Sequence, residues 1–339
     1  MLKALVNEAR LRLEIKTEGP LLIKTGYATV IGADMSPVIT YRHGKKEVYI
    51  PGSSLKGIFR SHIEKVANSI HPQVACNPLS RPGDQKTENQ GKNGEQLYRI
   101  SCGSRLDDKQ PSHEVYARSC PTCRLFGSTA FSSRIAIGDA YLSEENTGLE
   151  TEIERRDGIA IDRLTGGVSG NAKFDMDVVA YGQIFLSDIH LRNFEIWQLG
   201  MLFVIIQDLE DQLIRIGSGR SRGQGKIKAS IYNKPDKLHP GGVVLSTIRR
   251  STASEPDNEL WGLGHWLNEQ AAIYGAEKND LLRLEVPVTH EKHGVRNNRV
   301  FKGKALKSLK EQCIEAFIAR MQEWSFPTEE GASAQRSQR

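Results

Sequence analysis

Long apolar runs, a secretion signal and internal repeats are all missing from this sequence of 339 residues. The longest apolar stretch, LGMLFVII at residues 199–206, is far shorter than the roughly 20 residues that a membrane-spanning helix needs. The first residues, MLKALVNEARLRLEIK, bring in charge too early for a secretory signal. We therefore expect a cytoplasmic chain without a membrane partner, in which the cysteines are reduced.

Signatures of the common nucleotide-binding folds are also absent. The tract IGSGRSRGQGK, residues 216–226, contains neither GxxxxGK[ST] nor the dinucleotide spacing GxGxxG. A net charge of +5 is only mildly basic, so it suggests an anionic partner without demonstrating one. Arg220 and Arg222 stand between the glycines of this tract, which suits a loop that grips a sugar-phosphate backbone. A plain hairpin turn is the alternative.

The hydrophobic pattern predicts an α+β fold. Residues 9–17 alternate apolar and charged side chains, as a half-buried strand does. The segment EVYIPG (47–52) reads as a short strand, after which Ser53 or Ser54 can cap a helix. Further strands are predicted at 133–142, at 182–191 and after the glycine-rich tract, and a helix from about Glu195 to Leu209. This order indicates an antiparallel sheet of the split βαβ kind.

The carboxy-terminal third contains an amphipathic helix at residues 304–324. Its apolar stripe consists of Leu306, Leu309, Cys313, Phe317, Met321 and Trp324, and we expect it to pack on the core or on a neighbouring chain. We divide the chain into a core (1–235), an extension (236–326) and a disordered tail (327–339).

Within the core, residues 77–115 are too poor in apolar side chains to build a core of their own and need another means of ordering. Four of the five cysteines bracket this segment, and the last two form CPTC. A CxxC turn with two further thiolates suits the tetrahedral shell of zinc. We therefore predict a zinc-binding insertion at residues 71–123, with the ligands Cys76, Cys102, Cys120 and Cys123.

The ligand set has alternatives. His71 or His113 could replace Cys76 or Cys102, and a redox-active CxxC is a rival interpretation that expects a thioredoxin-like context not visible here. Disulfides fit the expected compartment least well. The fifth cysteine, Cys313, is interpreted as a core residue.

Four motifs then occur in the order known from one protein family. Ile216, Gly217, Gly223 and Gly225 resemble the glycine-rich loop of the RAMP superfamily of CRISPR proteins. GADMSPVI followed by YIPGSSLKGIFR resembles the amino-terminal signature of the backbone subunits of type III CRISPR effector complexes, of the Csm or Cmr type or a type III-D variant. CRLFGS with RIAIGDAYL is similar to the segment after the insertion, and RDGIAIDRLTGGVSGNAKFDMDVVAYG to the family's thumb. The resemblance spans roughly residues 10–232.

This resemblance implies a ferredoxin-like or RRM-like core with a long thumb β-hairpin at residues 150–182. Backbone subunits of the family stack along a guide CRISPR RNA beside other RAMP subunits, and each thumb kinks the duplex between guide and complementary target RNA. Contacts to guide phosphates would come from Ser53, Ser54, Lys56 and Arg60 at the helix start, and from Arg220 and Arg222. The thumb would include Ile159, Ile161, Arg163 and Leu164. Such contacts hold phosphates without reading sequence, which base pairing supplies.

In this family an Asp on the loop before the PGSSLKG segment cuts target RNA with a divalent metal. Asp34 is the only Asp in residues 1–52, so the resemblance implies a metal-dependent endoribonuclease with Asp34 as catalytic residue and Mg²⁺ or Mn²⁺ as cofactor. Typical members have this Asp directly before Ser-Pro, whereas Met35 intervenes here.

From the residues alone, Asp34 is best interpreted as a turn residue that hydrogen-bonds its own backbone ahead of Ser-Pro. A non-catalytic, structural RNA-binding subunit of the same kind of complex is therefore the alternative function. A stand-alone endonuclease that processes the guide precursor is disfavoured, because such proteins generally lack the thumb and the PGSSLKG turn.

Overall fold

The computed structural model describes residues 4–25, 32–81, 99–107, 109–144, 153–236, 239–249 and 254–326. The strands in these residues are β1 (Asn7–Thr17), β2 (Ile39–Arg42), β3 (Lys45–Val48), β4 (Cys76–Asn77), β5 (Arg99–Ile100), β6 (Ile135–Ile137), β7 (Tyr141–Leu142), β8 (Ile153–Ile161), β9 (Val168–Val179), β10 (Ile184–Arg192), β11 (Ile227–Ile231), β12 (Val243–Ile248), β13 (Glu259–Trp261), β14 (Leu281–Arg283), β15 (Glu291–His293) and β16 (Arg296–Phe301). The helices are α1 (Gly52–Ile70), α2 (Cys102–Arg105), α3 (Ser112–Arg118), α4 (Pro121–Phe126), α5 (Ile196–Glu210), α6 (Leu263–Leu267) and α7 (Gly303–Gln322). The predicted tail, 327–339, lies outside the described residues.

Strand β1 runs through the middle of an eight-stranded sheet. It pairs with β10 from Glu8 opposite Arg192 to Lys16 opposite Ile184. Its other edge is shared, because β11 pairs with residues 13–17 and β12 with residues 7–11. Strands β6 and β7 pair with β10, while β16 and β15 continue the sheet beyond β12. These pairings are antiparallel, which confirms the predicted antiparallel sheet.

Two strand-helix-strand units interleave in this sheet. The chain runs β1, α1, β6 and later β10, α5, β11, and across the sheet these strands lie in the order β11-β1-β10-β6. Strand β10 therefore separates β1 from β6, and β1 separates β10 from β11.

The core lies on one face of this sheet. Leu11, Leu13 and Ile15 alternate along β1, and each is at most 1% exposed. They share one apolar cluster with Phe59 of α1 and Phe203 of α5. Full burial of each such side chain contributes about 1.5–3 kcal/mol, so the alternation predicted from the sequence determines which face the helices cover.

The carboxy-terminal region belongs to the same packing unit. All six residues of the predicted α7 stripe are buried, and they join the main core cluster, which confirms the helix and its packing on the core. Helix α5 meets α7 closely at Gly200, where an added Cβ would lie 1.9 Å from the carbonyl oxygen of Cys313. Cys313 itself is fully buried, as predicted. None of the described helices is long and apolar enough to cross a membrane.

The insertion contributes to a small buried cluster around its cysteines, to which the apolar-poor segment 77–115 supplies Leu106 and Val115 besides Cys102. The four cysteines, Leu106, Val115, Tyr116 and Phe131 form one buried cluster, separate from the main core. Short helices α2, α3 and α4 bring these side chains together. Residues 82–98 and 108 of the insertion lie outside the described residues.

Candidate functional site

The loop that carries Asp34 pairs with strand β9. The amide of Asp34 donates to Oδ1 of Asp175 over 2.9 Å, and the amide of Asp175 donates back to Oδ2 of Asp34 over 3.1 Å. The amide of Met35 donates to the carbonyl of Asp175, and that of Asp177 to the carbonyl of Met35. Met35 and Met176 form a parallel bridge. Exposed Asp34 is thereby held at the base of the β8–β9 hairpin.

Met35 is the residue by which this chain departs from the family pattern around Asp34. Its side chain packs against a small buried cluster of Leu22, Met176 and Val178. The inserted methionine therefore anchors the loop, while the neighbouring carboxylate stays at the surface.

The hairpin of β8 and β9 presents apolar side chains to solvent. The side chain of Ile159 is 51% exposed, that of Ile161 65% and that of Leu164 96%. Several exposed apolar side chains on one element are typical of a surface that binds a partner molecule. Its tip is held by Asp162, since one carboxylate oxygen accepts the amides of Leu164 and Thr165 and the Thr165 hydroxyl. These hydrogen bonds lower the pKa of Asp162. The family resemblance implies a hairpin at residues 150–182. Asp162 shapes the turn between β8 and β9, and Arg163 beside it is exposed.

Helix α1 begins differently from the sequence prediction. Its N-cap is Pro51 without a side-chain hydrogen bond, so Ser53 and Ser54 lie in the first turn and neither is the cap. The amide of Gly52 donates to Oδ1 of Asp139 over 2.7 Å. An added Cβ at Gly52 would lie 2.3 Å from the carbonyl oxygen of Ile137, so only glycine lets the helix approach this carboxylate.

Lys56 lies one turn further along α1. Burial, and then the charge of Arg60, lower the pKa of Lys56. The two side chains therefore lie near each other, as their spacing of four residues on a helix predicts.

Arg60 faces the insertion. Its guanidinium donates to Glu64 over 2.8 Å, to the carbonyl of Gly127 over 2.9 Å and to Sγ of Cys123 over 3.2 Å. Burial acts to lower the pKa of Arg60, but the negative partners Cys123 and Glu64 outweigh it and raise the pKa. The structure shows a link between α1 and the cysteines that sequence reasoning missed. A contact between Arg60 and a guide phosphate stays a prediction.

The glycine-rich loop is fastened to the residues before the hairpin. The amide of Ser218 donates to the carbonyl of Leu22 over 2.7 Å. Gly217 and Gly225 have φ of 78° and 74°, and an added Cβ would meet a backbone carbonyl at 2.4 Å and 2.0 Å. Because only glycine combines this conformation with such close approach, the glycines fix the loop's path. Arg220 and Arg222 lie exposed at its turn.

A side-chain contact joins this loop to the hairpin. Nε2 of buried Gln224 lies 2.9 Å from Sδ of Met176, the residue that also bridges Met35. The glycine-rich loop and the loop that carries Asp34 therefore both contact Met176 of β9.

The four predicted zinc ligands converge. The Sγ atoms of Cys76, Cys102, Cys120 and Cys123 all lie within 4.8 Å of one another and are buried. Two of the separations are 3.5 Å, between Cys76 and Cys123, and 3.6 Å, between Cys76 and Cys120. A tetrahedral zinc with Zn–S bonds of about 2.3 Å requires sulfur separations of roughly 3.8 Å. The donor set therefore fits zinc, and none of the five cysteines forms a disulfide.

The alternative histidine ligands lie elsewhere. Nδ1 of His71 is 3.0 Å from the carbonyl oxygen of Met321, and the His113 ring packs against Tyr274. The amide of Cys120 donates to Sγ of Cys102 over 3.2 Å, a contact that favours the thiolate form of that sulfur. All four ligands of the site are thus cysteines among the described residues.

Comparison with known proteins gives one positive result. The family model described as the RAMP superfamily matches residues 14–228, which is more than half of the chain and includes Asp34, the insertion, the hairpin and the glycine-rich loop. No curated protein matches the chain.

Proposed function

Since the chain belongs to the RAMP superfamily, we propose that it is a guide-RNA-binding backbone subunit of a type III CRISPR effector complex, which cleaves complementary target RNA through Asp34. Its partners are guide CRISPR RNA, complementary target RNA and other RAMP subunits in the cytoplasm. The interleaved order β11-β1-β10-β6, with α1 and α5 packed on the buried face, supports a ferredoxin-like or RRM-like core for this role.

Guide binding falls to two groups of residues. Ser53, Ser54 and Lys56 lie in the first turns of α1, and Arg220 and Arg222 are exposed on the glycine-rich loop. Hydroxyls, amides and cations of this kind hold phosphates regardless of base sequence. Sequence selectivity then comes from pairing between guide and target.

The β8–β9 hairpin serves as the thumb. Its exposed Ile161 and Leu164 are apolar wedges of the kind that part stacked bases, and a parted step costs a few kcal/mol that the added contacts offset. A kinked step presents its 2′-hydroxyl in line with the adjacent phosphate, which is the alignment that cleavage requires.

The observation that carries the proposal is the exposed carboxylate of Asp34, hydrogen-bonded to the base of the hairpin. The target's 2′-hydroxyl oxygen attacks the adjacent phosphate while its proton passes to a base. The P–O5′ bond breaks, and the leaving 5′-oxygen takes a proton from water, which gives a 2′,3′-cyclic phosphate and a 5′-hydroxyl. Asp34 acts on the proton at this 2′-hydroxyl. General base catalysis of this kind contributes about 10²–10⁴-fold in rate.

Mg²⁺ or Mn²⁺ is the proposed cofactor of this step. The carboxylate of Asp34 offers the oxygen donors that such hard cations prefer. When bound, the cation would offset the charge of the scissile phosphate and lower the pKa of its bound water. The second proposed metal is a structural Zn²⁺ held by the four cysteines.

The alternative, a structural subunit without catalysis, has one specific observation in its favour. Oδ2 of Asp34 already accepts the amide of Asp175, as a residue that only shapes a loop would. Both alternatives retain guide binding, so cleavage alone distinguishes them.

The test is target cleavage by the complex assembled with guide RNA and either wild-type protein, Asp34→Ala or Asp34→Asn. Loss of cleavage with both variants and unchanged target binding would support catalysis. Asp157→Ala is the matched control, because this carboxylate is also exposed on the hairpin and pairs only with Lys173 in the described residues. Undiminished cleavage with Asp34→Ala would leave the structural alternative.

A further inference from the structure

The contact between Asp34 and Asp175 is reciprocal. Each carboxylate accepts the backbone amide of the other residue, over 2.9 Å and 3.1 Å, although the two lie 141 positions apart in the sequence. Two such bonds fix both the position and the rotation of the loop backbone at Asp34. Hydrogen bonds to a charged acceptor are also the stronger kind.

The Asp175 carboxylate is itself held in place. Nη1 of Arg155 lies 3.8 Å from its Oδ2, and Nε of the same arginine lies 3.0 Å from Oδ1 of Asp177. Arg155 comes from β8, so both strands of the hairpin contribute to the arrangement. The hydrogen bond from the Asp34 amide, opposed by slight desolvation, lowers the pKa of Asp175 and keeps it an anionic acceptor.

We propose that Asp175 is a positioning residue for target cleavage: it couples the backbone of the Asp34 loop to the base of the hairpin, so that thumb and cleaving acid bind the kinked step as one unit. This inference rests on the proposed catalytic function of Asp34. The Met35 side chain anchors the loop by apolar packing. This packing does not fix the backbone dihedral angles at Asp34. Asp175 removes that freedom.

The charge of Asp175 is separable from its acceptor geometry. Asp175→Ala removes the acceptor for the Asp34 amide, whereas Asp175→Asn keeps an acceptor oxygen and removes the charge. Asp157→Ala is the control, because it deletes an exposed carboxylate that lies opposite Asp175 on β8 and pairs with Lys173, while the two amide bonds between Asp34 and Asp175 persist. Complexes assembled with each variant are compared in single-turnover cleavage, target binding, and hydrogen exchange of the Asp34 and Met35 amides.

For Asp175→Ala we expect cleavage to fall about 10- to 100-fold, since a misplacement of about 1 Å can cost that much. Target binding should not change, and the Asp34 amide should exchange faster. Asp175→Asn should recover most of the cleavage and the protection, and Asp157→Ala should resemble wild type in both.

Two results would overturn the inference. Asp34 amide protection that is unaffected by Asp175→Ala would show that this carboxylate does not hold the loop. Equal loss of cleavage in Asp175→Asn and Asp175→Ala, with protection kept in the former, would show that its charge acts directly. Because hydrogen exchange needs no cleavage, failure of the coupling is distinguishable from an inert Asp34.

Discussion

Removal of zinc from the four-cysteine site should loosen the insertion and lower the stability of the whole chain. Among the residues that the structure describes, the buried cluster around the four cysteines adds to them Leu106, Val115, Tyr116 and Phe131. A core of this size cannot offset about 1–2 kcal/mol of backbone entropy for every residue that the insertion orders. Binding of the metal is therefore expected to supply most of its folding free energy.

The magnitude follows from linkage between binding and folding. A ligand present at 1,000 times its Kd stabilises the native state by about 4 kcal/mol. At roughly 2–4 °C per kcal/mol for a chain of this order of size, chelation should lower Tm by about 8–16 °C. The effect should also reach α1, because Arg60 contacts Cys123.

Charge makes this coupling stronger. Four thiolates around Zn²⁺ leave two net negative charges, and Arg60 and Arg105 lie beside the sulfurs, with Nη2 of Arg105 3.8 Å from Sγ of Cys102. Loss of the metal weakens these charge contacts at the sulfurs, while Arg60 keeps its bonds to Glu64 and to the carbonyl of Gly127.

The assay combines metal analysis with thermal unfolding. Purified protein should contain one zinc per chain, and both Cys120→Ser and chelation should remove it and lower Tm. Cys313→Ala is the matched control, since this buried cysteine lies in the main core and its loss should leave the zinc content unchanged. Metal-free protein whose four thiols are all alkylated, with a Tm that chelator does not shift, would refute the site.

Three further predictions concern packing, pH and the hairpin. Gly200→Ala should lower the free energy of unfolding by about 1–3 kcal/mol, because its Cβ would lie 1.9 Å from a carbonyl oxygen of α7; an increase, measured in urea, would show that helix propensity wins. Burial, and then the charge of Glu195, raise the pKa of Asp280 from 3.8 to about 8, so folding retains its proton and the free energy of unfolding should decrease as pH rises from about 4 to 8. Asp280→Asn should flatten that slope, and an unchanged slope in urea titrations would contradict the assignment. Leu164→Ala should change the free energy of unfolding by less than about 0.5 kcal/mol, because the side chain is 96% exposed. The same variant should reduce target cleavage, and unaltered cleavage would count against the thumb role.

Local patterns in the sequence were sufficient for some of these features. The stripe of α7 has a helical period, the alternation along β1 has the period of a strand, and the zinc ligands include a CxxC turn. The two stripes depend on residues close together in the chain, where spacing alone determines which side chains share a face, and the CxxC turn identifies two of the four cysteines.

Contacts between distant segments were not accessible in this way. The Asp139 carboxylate that meets the start of α1 lies 87 positions from Gly52, and no local signal distinguishes it from an ordinary strand-end acid. The same holds for Asp175 beside Asp34. These partners follow from strand pairing and register, which tertiary packing decides.

Arg60 illustrates a second limit. Its position four residues after Lys56 predicts a shared helix face, and the structure agrees, but the three acceptors of its guanidinium come from α1, from the turn after α4 and from a cysteine. Sequence spacing indicates which residues are neighbours on a helix. It does not indicate which of them a folded insertion will cover.

The most direct test of the central claim is single-turnover cleavage by the assembled complex, with wild-type or Asp34→Ala protein and with a complementary RNA that is all-ribose or carries one 2′-deoxynucleotide at a scissile step. On the all-ribose target we expect Asp34→Ala to cut at that step about 10²–10⁴-fold more slowly than wild type. With the 2′-deoxynucleotide we expect neither protein to cut there, because the nucleophile is missing, and target binding should be unchanged in all four combinations. An Asp34→Ala complex that cuts the all-ribose target at the wild-type rate would contradict the proposed function.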